Sequence, residues 1–363
     1  MASQYSRGAG LIFSCILTLF GTLQFGASGV SKTFAFGQGV NNTAPTDTIY
    51  ARAGQLVPAG DGARLSLYCS GTGSPTVVFD SGWEDWSPAW SVVQPKIATW
   101  TRACSYDRAG AGFSDSGPIP RTSVRIADEL HAALQNAGIA GPYILVGHAF
   151  GGDNVRTFAD RYMAEVAGLV LVDADPSDVE PKAMREKEHR QDKAIIAQLR
   201  DCRNAIAEHK PLPPLSGRPG QPQRTCAQQF FRGLPEAAWS PELNTALLQL
   251  AQTKVAMYDA YLSEMEQTPL DETYLRRRRR SFGSRPIRVL TSGNHGVGHL
   301  PATPNLDPKH VEYERQVTLA QARWLKLSSN AKQVFTHQSS EYIQFDEPDT
   351  AISAIREVYE QRK

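Results

Sequence analysis

Apolar and polar positions alternate along the chain in two distinct rhythms. Residues 64–69 (RLSLYC) alternate with period two, and 76–79 (TVVF), 102–106, 142–146 (PYILV) and 168–172 (GLVLV) are short apolar runs, which predict strands. Between them, 123–137 places Ala127, Leu130, Leu134 and Ala137 on one helical face, and 151–162 reads as a second helix. Strand and helix in turn argue for a layered α/β fold with a mostly parallel sheet. The rhythm breaks after Asp173 and resumes with a strand at 287–290, a helix over 308–327, a strand near 333–336 and a last helix from Asp349. The intervening stretch is helical and polar. It contains a predicted helix at 182–208, a proline-rich link (PLPPLSGRPGQPQ) and a helix opened by Ser240-Pro241-Glu242, a capping residue followed by proline in the first turn. Leu243, Leu247, Leu250, Tyr258, Tyr261 and Leu262 form the apolar stripe of that last helix. The pattern divides the chain into a core (51–177 and 284–363) and an inserted helical cap (178–283).

The N-terminus changes the picture. Arg7, the apolar stretch 11–20 (LIFSCILTLF) and the small residues 26–29 read as a signal peptide covering 1–30. The alternative is an uncleaved anchor, but the stretch is shorter than the roughly 20 residues that span a bilayer. Export to the periplasm or the medium, with no stable membrane anchor after cleavage, is therefore expected, and the polar residues 31–50 read as a flexible leader. Of five cysteines, Cys15 falls in the signal. Four remain, and an oxidising compartment favours two disulfides. Cys69 and Cys104 each end a core strand, whereas Cys202 and Cys226 both lie in the cap, so the expected pairs are 69–104 and 202–226.

Charge excludes some partners. The chain has 38 basic and 37 acidic residues among 363, with 41% apolar residues. A near-neutral balance gives no electrostatic footprint for nucleic acid and points to a small neutral ligand. The arginine run 276–280 reads as a solvated cap surface or a domain junction, with an anion site as the alternative.

Candidate chemistry is concentrated in 142–162, PYILVGHAFGGDNVRTFADRY. A strand, a tight turn and a helix carry Gly147, Gly151 and Gly152 around position 149. This is the G-x-S-x-G elbow, in which glycines let strand and helix approach closely and the middle residue projects toward substrate. Here that residue is Ala149, which has no nucleophilic atom. Together with VVFDSGWEDWSPAW, TRACSYDRAGAGFSD, AGLVLVDADPSD and EYIQFDEPD, in that order around it, the elbow resembles a secreted branch of the α/β-hydrolase superfamily, similar to serine esterases.

The resemblance implies roles for further positions. Backbone N–H groups of Trp83 and Phe150 would form the oxyanion hole. Trp86, Trp90, His148 and Tyr258 would line the substrate pocket. The triad acid would be Asp173, with Asp175 in reserve, because no carboxylate follows the strand at 287–290. The family's histidine falls in a phrase like S-H-Y-I-Q, where this chain has Ser340-Glu341-Tyr342-Ile343-Gln344, so Glu341 stands at the histidine position. His337 lies four residues upstream, too far along the loop to substitute, and His295, His299 and His310 read as surface or cap-contact residues. No metal-ligand spacing occurs among the histidines and cysteines, and ester hydrolysis of this type needs no cofactor. The implied activity is carboxylic ester hydrolysis on a small-molecule ester, disabled here at 149 and 341. Two other readings stay open: a natural pseudoenzyme binding a ligand in the former pocket, and water activation by Glu341 in the space left by Ala149.

Overall fold

A computed structural model describes residues 47–176, 178–215, 224–230, 239–294 and 308–361. The signal segment and most of the leader lie outside these residues, as do His295 and His299. Strands β1 (Gln55–Pro58), β2 (Arg64–Ser70), β3 (Thr76–Asp80), β4 (Ala103–Tyr106), β5 (Tyr143–His148) and β6 (Val166–Val172) precede the cap. The cap holds a two-residue hairpin, β7 (Pro214–Leu215) and β8 (Arg224–Thr225), and β9 (Ile287–Asn294) and β10 (Ala331–Ser340) follow it. Among the described residues the main sheet has eight strands in the order β1-β2-β4-β3-β5-β6-β9-β10. Only β2 runs antiparallel to its neighbours. Strands β3 and β5 are buried at every position, which is why they read as unbroken apolar runs. The edge strand β1 (QLVP) buries only Val57, so its sequence carried no period and it was missed.

Helices are α1 (Gln94–Ile97), α2 (Ser123–Asn136), α3 (Gly151–Arg161), α4 (Lys182–Ala207), α5 (Pro241–Thr253), α6 (Val255–Arg277), α7 (Pro308–Gln321), α8 (Ile343–Asp346) and α9 (Pro348–Glu360). Thr122 caps α2 by accepting from Arg125 N, and Ser240 caps α5 by accepting from Leu243 N. One apolar cluster joins one sheet face to α9 and to the cap residues Leu243, Leu247, Met257, Tyr258 and Tyr261. A second packs α2, α3 and Trp324 on the other face. The cap thus shares a core with the sheet.

Two expectations are corrected. The single cap helix is two helices, broken at Lys254, whose ψ of 90 leaves the helical region. At the break Lys254 Nζ donates to Gly112 O and Ser114 O at 2.7 Å each, reaching from the cap to the loop after β4. The end of the leader is not loose either. Tyr50 is fully buried and donates to Gln94 Oε1, and Asp47 Oδ2 accepts from Ser240 N at 2.7 Å. Both disulfides have the expected partners: Cys69–Cys104 joins directly paired positions of β2 and β4, and Cys202–Cys226 ties α4 to the turn after β8. Among the described residues no helix is long and apolar enough to cross a membrane.

Candidate active site

The site begins where β5 turns into α3. Ala149 has φ +46, the left-handed region that costs a non-glycine residue roughly 1–2 kcal/mol. The turn is possible because the flanking glycines permit contacts no side chain would: a Cβ on Gly147 would sit 2.4 Å from Gly151 O, and one on Gly151 would sit 2.4 Å from Asp80 O. Glu84 (φ +61) and Asp173 (φ +40) are also left-handed, so strain gathers at the ends of β3, β5 and β6.

Beside the elbow runs the turn after β3. A Cβ on Gly82 would lie 3.3 Å from Ala149 Cβ and 3.1 Å from His148 Nδ1, which brings this turn against position 149. Among the described residues, the backbone N–H groups of Trp83 and Phe150 donate to no protein acceptor, and the two rings stack at 5.2 Å. The turn is held by Arg108, which sequence reasoning passed over inside the DRAGAG loop. Its guanidinium donates to Ser81 O (2.7 Å), Gly82 O (2.8 Å), Asp80 Oδ1 (2.9 Å) and both oxygens of Glu264 on α6 (2.9 and 3.1 Å). All three ionic side chains are almost completely buried. Two carboxylates therefore share one cation, and that one side chain ties the cap to the turn.

Trp90 is corrected from pocket wall to core. It is fully buried, packs on Phe79 at 4.8 Å, and donates Nε1–H to Ser81 Oγ, bracing the turn from behind. Trp86 meets Phe230 of the cap edge-on at 6.0 Å, and Phe230 contacts Tyr258 and Tyr261 at 5.2 and 5.5 Å. Phe230 was not anticipated, because nothing periodic surrounds it. Tyr258 spends its hydroxyl on Ala251 O.

His148 lies beneath the turn, 2% exposed. Its Nε2 is 3.0 Å from Glu341 O, and since a carbonyl only accepts, Nε2 carries the hydrogen. Burial pulls the imidazole pKa down to about 4, against the opposing pull of Asp173. The ring is therefore neutral and Nδ1 is bare. It faces Asp85 Oδ2 at 3.7 Å, and burial, followed by the charge of Glu341, holds the Asp85 carboxyl well above its ordinary range. A protonated Asp85 and an unprotonated Nδ1 are complementary. Tyr342 donates to Asp85 Oδ1 at 3.2 Å, so Asp85, His148 and Tyr342 link the turn after β3 to the turn after β10.

That second turn carries Glu341, half-buried, between Ser340 and Tyr342. Asp346 fixes it by accepting from Ser340 N (2.8 Å) and Ser340 Oγ (2.6 Å). His337 is exposed on β10 with its ring stacked on Phe335, and His310 pairs with Glu314 on α7. Of the two acids after β6, Asp173 accepts from Ser292 N, Ser292 Oγ and Gln321 Nε2 and acts on His148. Asp175 instead acts on Asp153, Glu180 and Glu188, on the side of α3 and α4. Among the described residues no three His, Cys, Asp or Glu side chains are grouped to hold a metal ion.

The fold finds its match in known proteins. The family described as alpha/beta hydrolase fold matches residues 75–205. An esterase from Thermogutta terrifontis, solved with malate bound, superposes with a TM-score of 0.56 at 19% identity, over 86% of this chain and 99% of that one. The epoxide hydrolase CorEH superposes with a TM-score of 0.60 at 14% identity, over 85% of this chain and 98% of its own. The fold is that of the α/β hydrolases. At such identities the likeness establishes fold alone, and the two neighbours differ in chemistry. In sequence, an uncharacterized protein of Schizosaccharomyces pombe is 43% identical over 82 residues, 23% of this chain and 15% of the yeast protein. The chain spans less than half the length of the curated relatives it matches.

Proposed function

We propose that this α/β hydrolase carries the site of a serine carboxylic ester hydrolase whose acyl-transfer chemistry is disabled at Ala149 and Glu341. The observation that carries the reading is the elbow: alanine sits at φ +46 between glycines that admit no side chain, a strained geometry whose use in this fold is to present a nucleophile. In a complete site of this type, a serine at 149 attacks the ester carbonyl. A histidine at 341, oriented by Asp173, takes the serine proton and returns it to the leaving alcohol, while the N–H groups of Trp83 and Phe150 hold the oxyanion. Here no oxygen exists at 149. The imidazole nearest to it, His148, has Nε2 committed to Glu341 O and a pKa of about 4, so it is a poor base for this task near neutral pH. The ester class of substrate is proposed by analogy with the fold's commonest chemistry. Export is proposed on the apolar N-terminal stretch, with the two disulfides in keeping with it.

The test restores both groups. Turnover of a short-chain aryl ester should be absent in the chain as it stands and nearly absent in Ala149→Ser and in Glu341→His. The double variant should exceed the sum of the singles by orders of magnitude, because triad members act as a unit. A well-folded double variant without turnover would refute the ester-hydrolase reading and favour a pseudoenzyme that binds a ligand between Trp86 and the cap aromatics.

A further inference from the structure

The arginine run 276–280 ends α6 against the far end of α3, about 16 Å along that helix from the elbow. There it borders a pocket of about 270 Å³ lined by Asp160, Arg161, Tyr162, Tyr274, Arg278 and Arg280. The side chains are not equivalent. Arg161 is forked onto Asp128 at 2.6 and 2.8 Å. Arg280 donates to Asp160 O at 2.9 Å and stands 3.7 Å from Asp160 Oδ1, while Tyr274 donates to Asp160 Oδ2 at 2.8 Å. Tyr162 likewise donates to Asp128 Oδ1 at 2.7 Å. Both carboxylates are thereby charge-paired and both tyrosine hydroxyls donate, with Asp160 Oδ1 alone accepting no hydrogen bond. Arg278 remains: its guanidinium lies 5.8 Å from the Tyr274 ring centre, and among the described residues it has no carboxylate partner and no hydrogen bond from its side chain. Two guanidiniums are matched by Asp128 and Asp160, and one positive charge is left over at the pocket.

We propose that this pocket binds the phosphate group of a small phosphate or phosphomonoester. Arg278 presents a free guanidinium fork to this space, and the already paired Arg161 and Arg280, from two separate helix ends, border it, so an anion seated there meets one unpaired fork and two further positive groups. The carbonyl ends of α3 and α6 favour cations at this spot and hold the arginines there. The volume lies just under that of typical small-ligand pockets, and the faces of Tyr162 and Tyr274 offer a wall for an esterified group. The proposal is independent of the chemistry at Ala149, which sits at the opposite end of α3.

Titration calorimetry on the full chain, at matched ionic strength in chloride, tests it with inorganic phosphate, methyl phosphate and phenyl phosphate. Saturable binding is expected, tightest for phenyl phosphate. Inorganic phosphate binding as tightly as the esters would identify the free anion as the ligand. Arg278→Ala should weaken binding about tenfold, the worth of a charge-assisted hydrogen bond to an anion. Arg278→Lys should lose part of that, keeping the charge without the fork. Arg277→Ala, at the same helix end but outside the pocket lining, should leave affinity unchanged. No saturable phosphate binding, an unchanged affinity in both Arg278 variants, or an equal loss in Arg277→Ala would overturn the assignment, the last by showing diffuse attraction to the arginine run.

Discussion

Two turns flank Ala149, and they are built from different materials. The turn after β3 is gripped through its carbonyls by a desolvated cation, Arg108, paired on one side with Asp80 and on the other with Glu264 of the cap. The turn after β10 is held by hydrogen bonds from Ser340 to Asp346 and from the neutral ring of His148 to Glu341 O. The first turn contributes backbone, the N–H of Trp83. The second carries a side chain, the carboxylate of Glu341. On the proposed function, the main-chain half of the site is present, whereas the two side chains it would use, at 149 and 341, are an alanine and a glutamate. A scaffold fixed by glycines, burial and ion pairing does not depend on which side chains stand at positions 149 and 341.

The largest effect should come from breaking the charged turn. Arg108→Ala leaves Asp80 and Glu264 buried without their cation and should destabilise the fold by about 3–5 kcal/mol, read from chemical denaturation. A loss below about 1 kcal/mol, the size of a surface pair, would show that the turn does not rest on this network.

A smaller effect, of opposite sign, should come from the link between the turns. The Asp85 carboxyl is pushed up by burial, so its proton is retained in the folded state under conditions where the unfolded chain has lost it. Below the unfolded value near 3.8 both states hold the proton and nothing is lost; as pH rises above it the native state is increasingly penalised. Asp85→Asn removes this penalty and supplies an N–H toward the bare Nδ1 of His148. Thermal melts should therefore show the variant more stable at pH 7 by a few degrees, with the gain vanishing near pH 3.5. Destabilisation at pH 7 would mean that Asp85 is ionised and that the pairing of protons between it and His148 is wrong.

Much of the architecture was legible because it is written in local signals. Central strands buried on both faces appear as apolar runs, Ser240 announces its helix, and the glycines around 149 specify the elbow. Long-range polar contacts left no such trace. Nothing in the sequence around Lys254 marks its ammonium as the partner of the Gly112 and Ser114 carbonyls, 142 and 140 residues away. Arg108 and Glu264 lie 156 residues apart, and Asp85 and Tyr342 257 apart, so neither pair could be read from spacing. Trp90 sits in an aromatic-rich stretch, and nothing in its spacing shows that its ring packs on Phe79 in the core.

The central claim, an intact oxyanion turn and elbow lacking only two side chains, is tested most directly by fluorophosphonate labelling with mass mapping of the modified residue. The chain as it stands should take up no label, Ala149→Ser should label slowly, and Ala149→Ser with Glu341→His should label rapidly, one group per chain, on the introduced serine. Rapid labelling of the unaltered chain, or of the double variant at any residue other than position 149, would contradict the account.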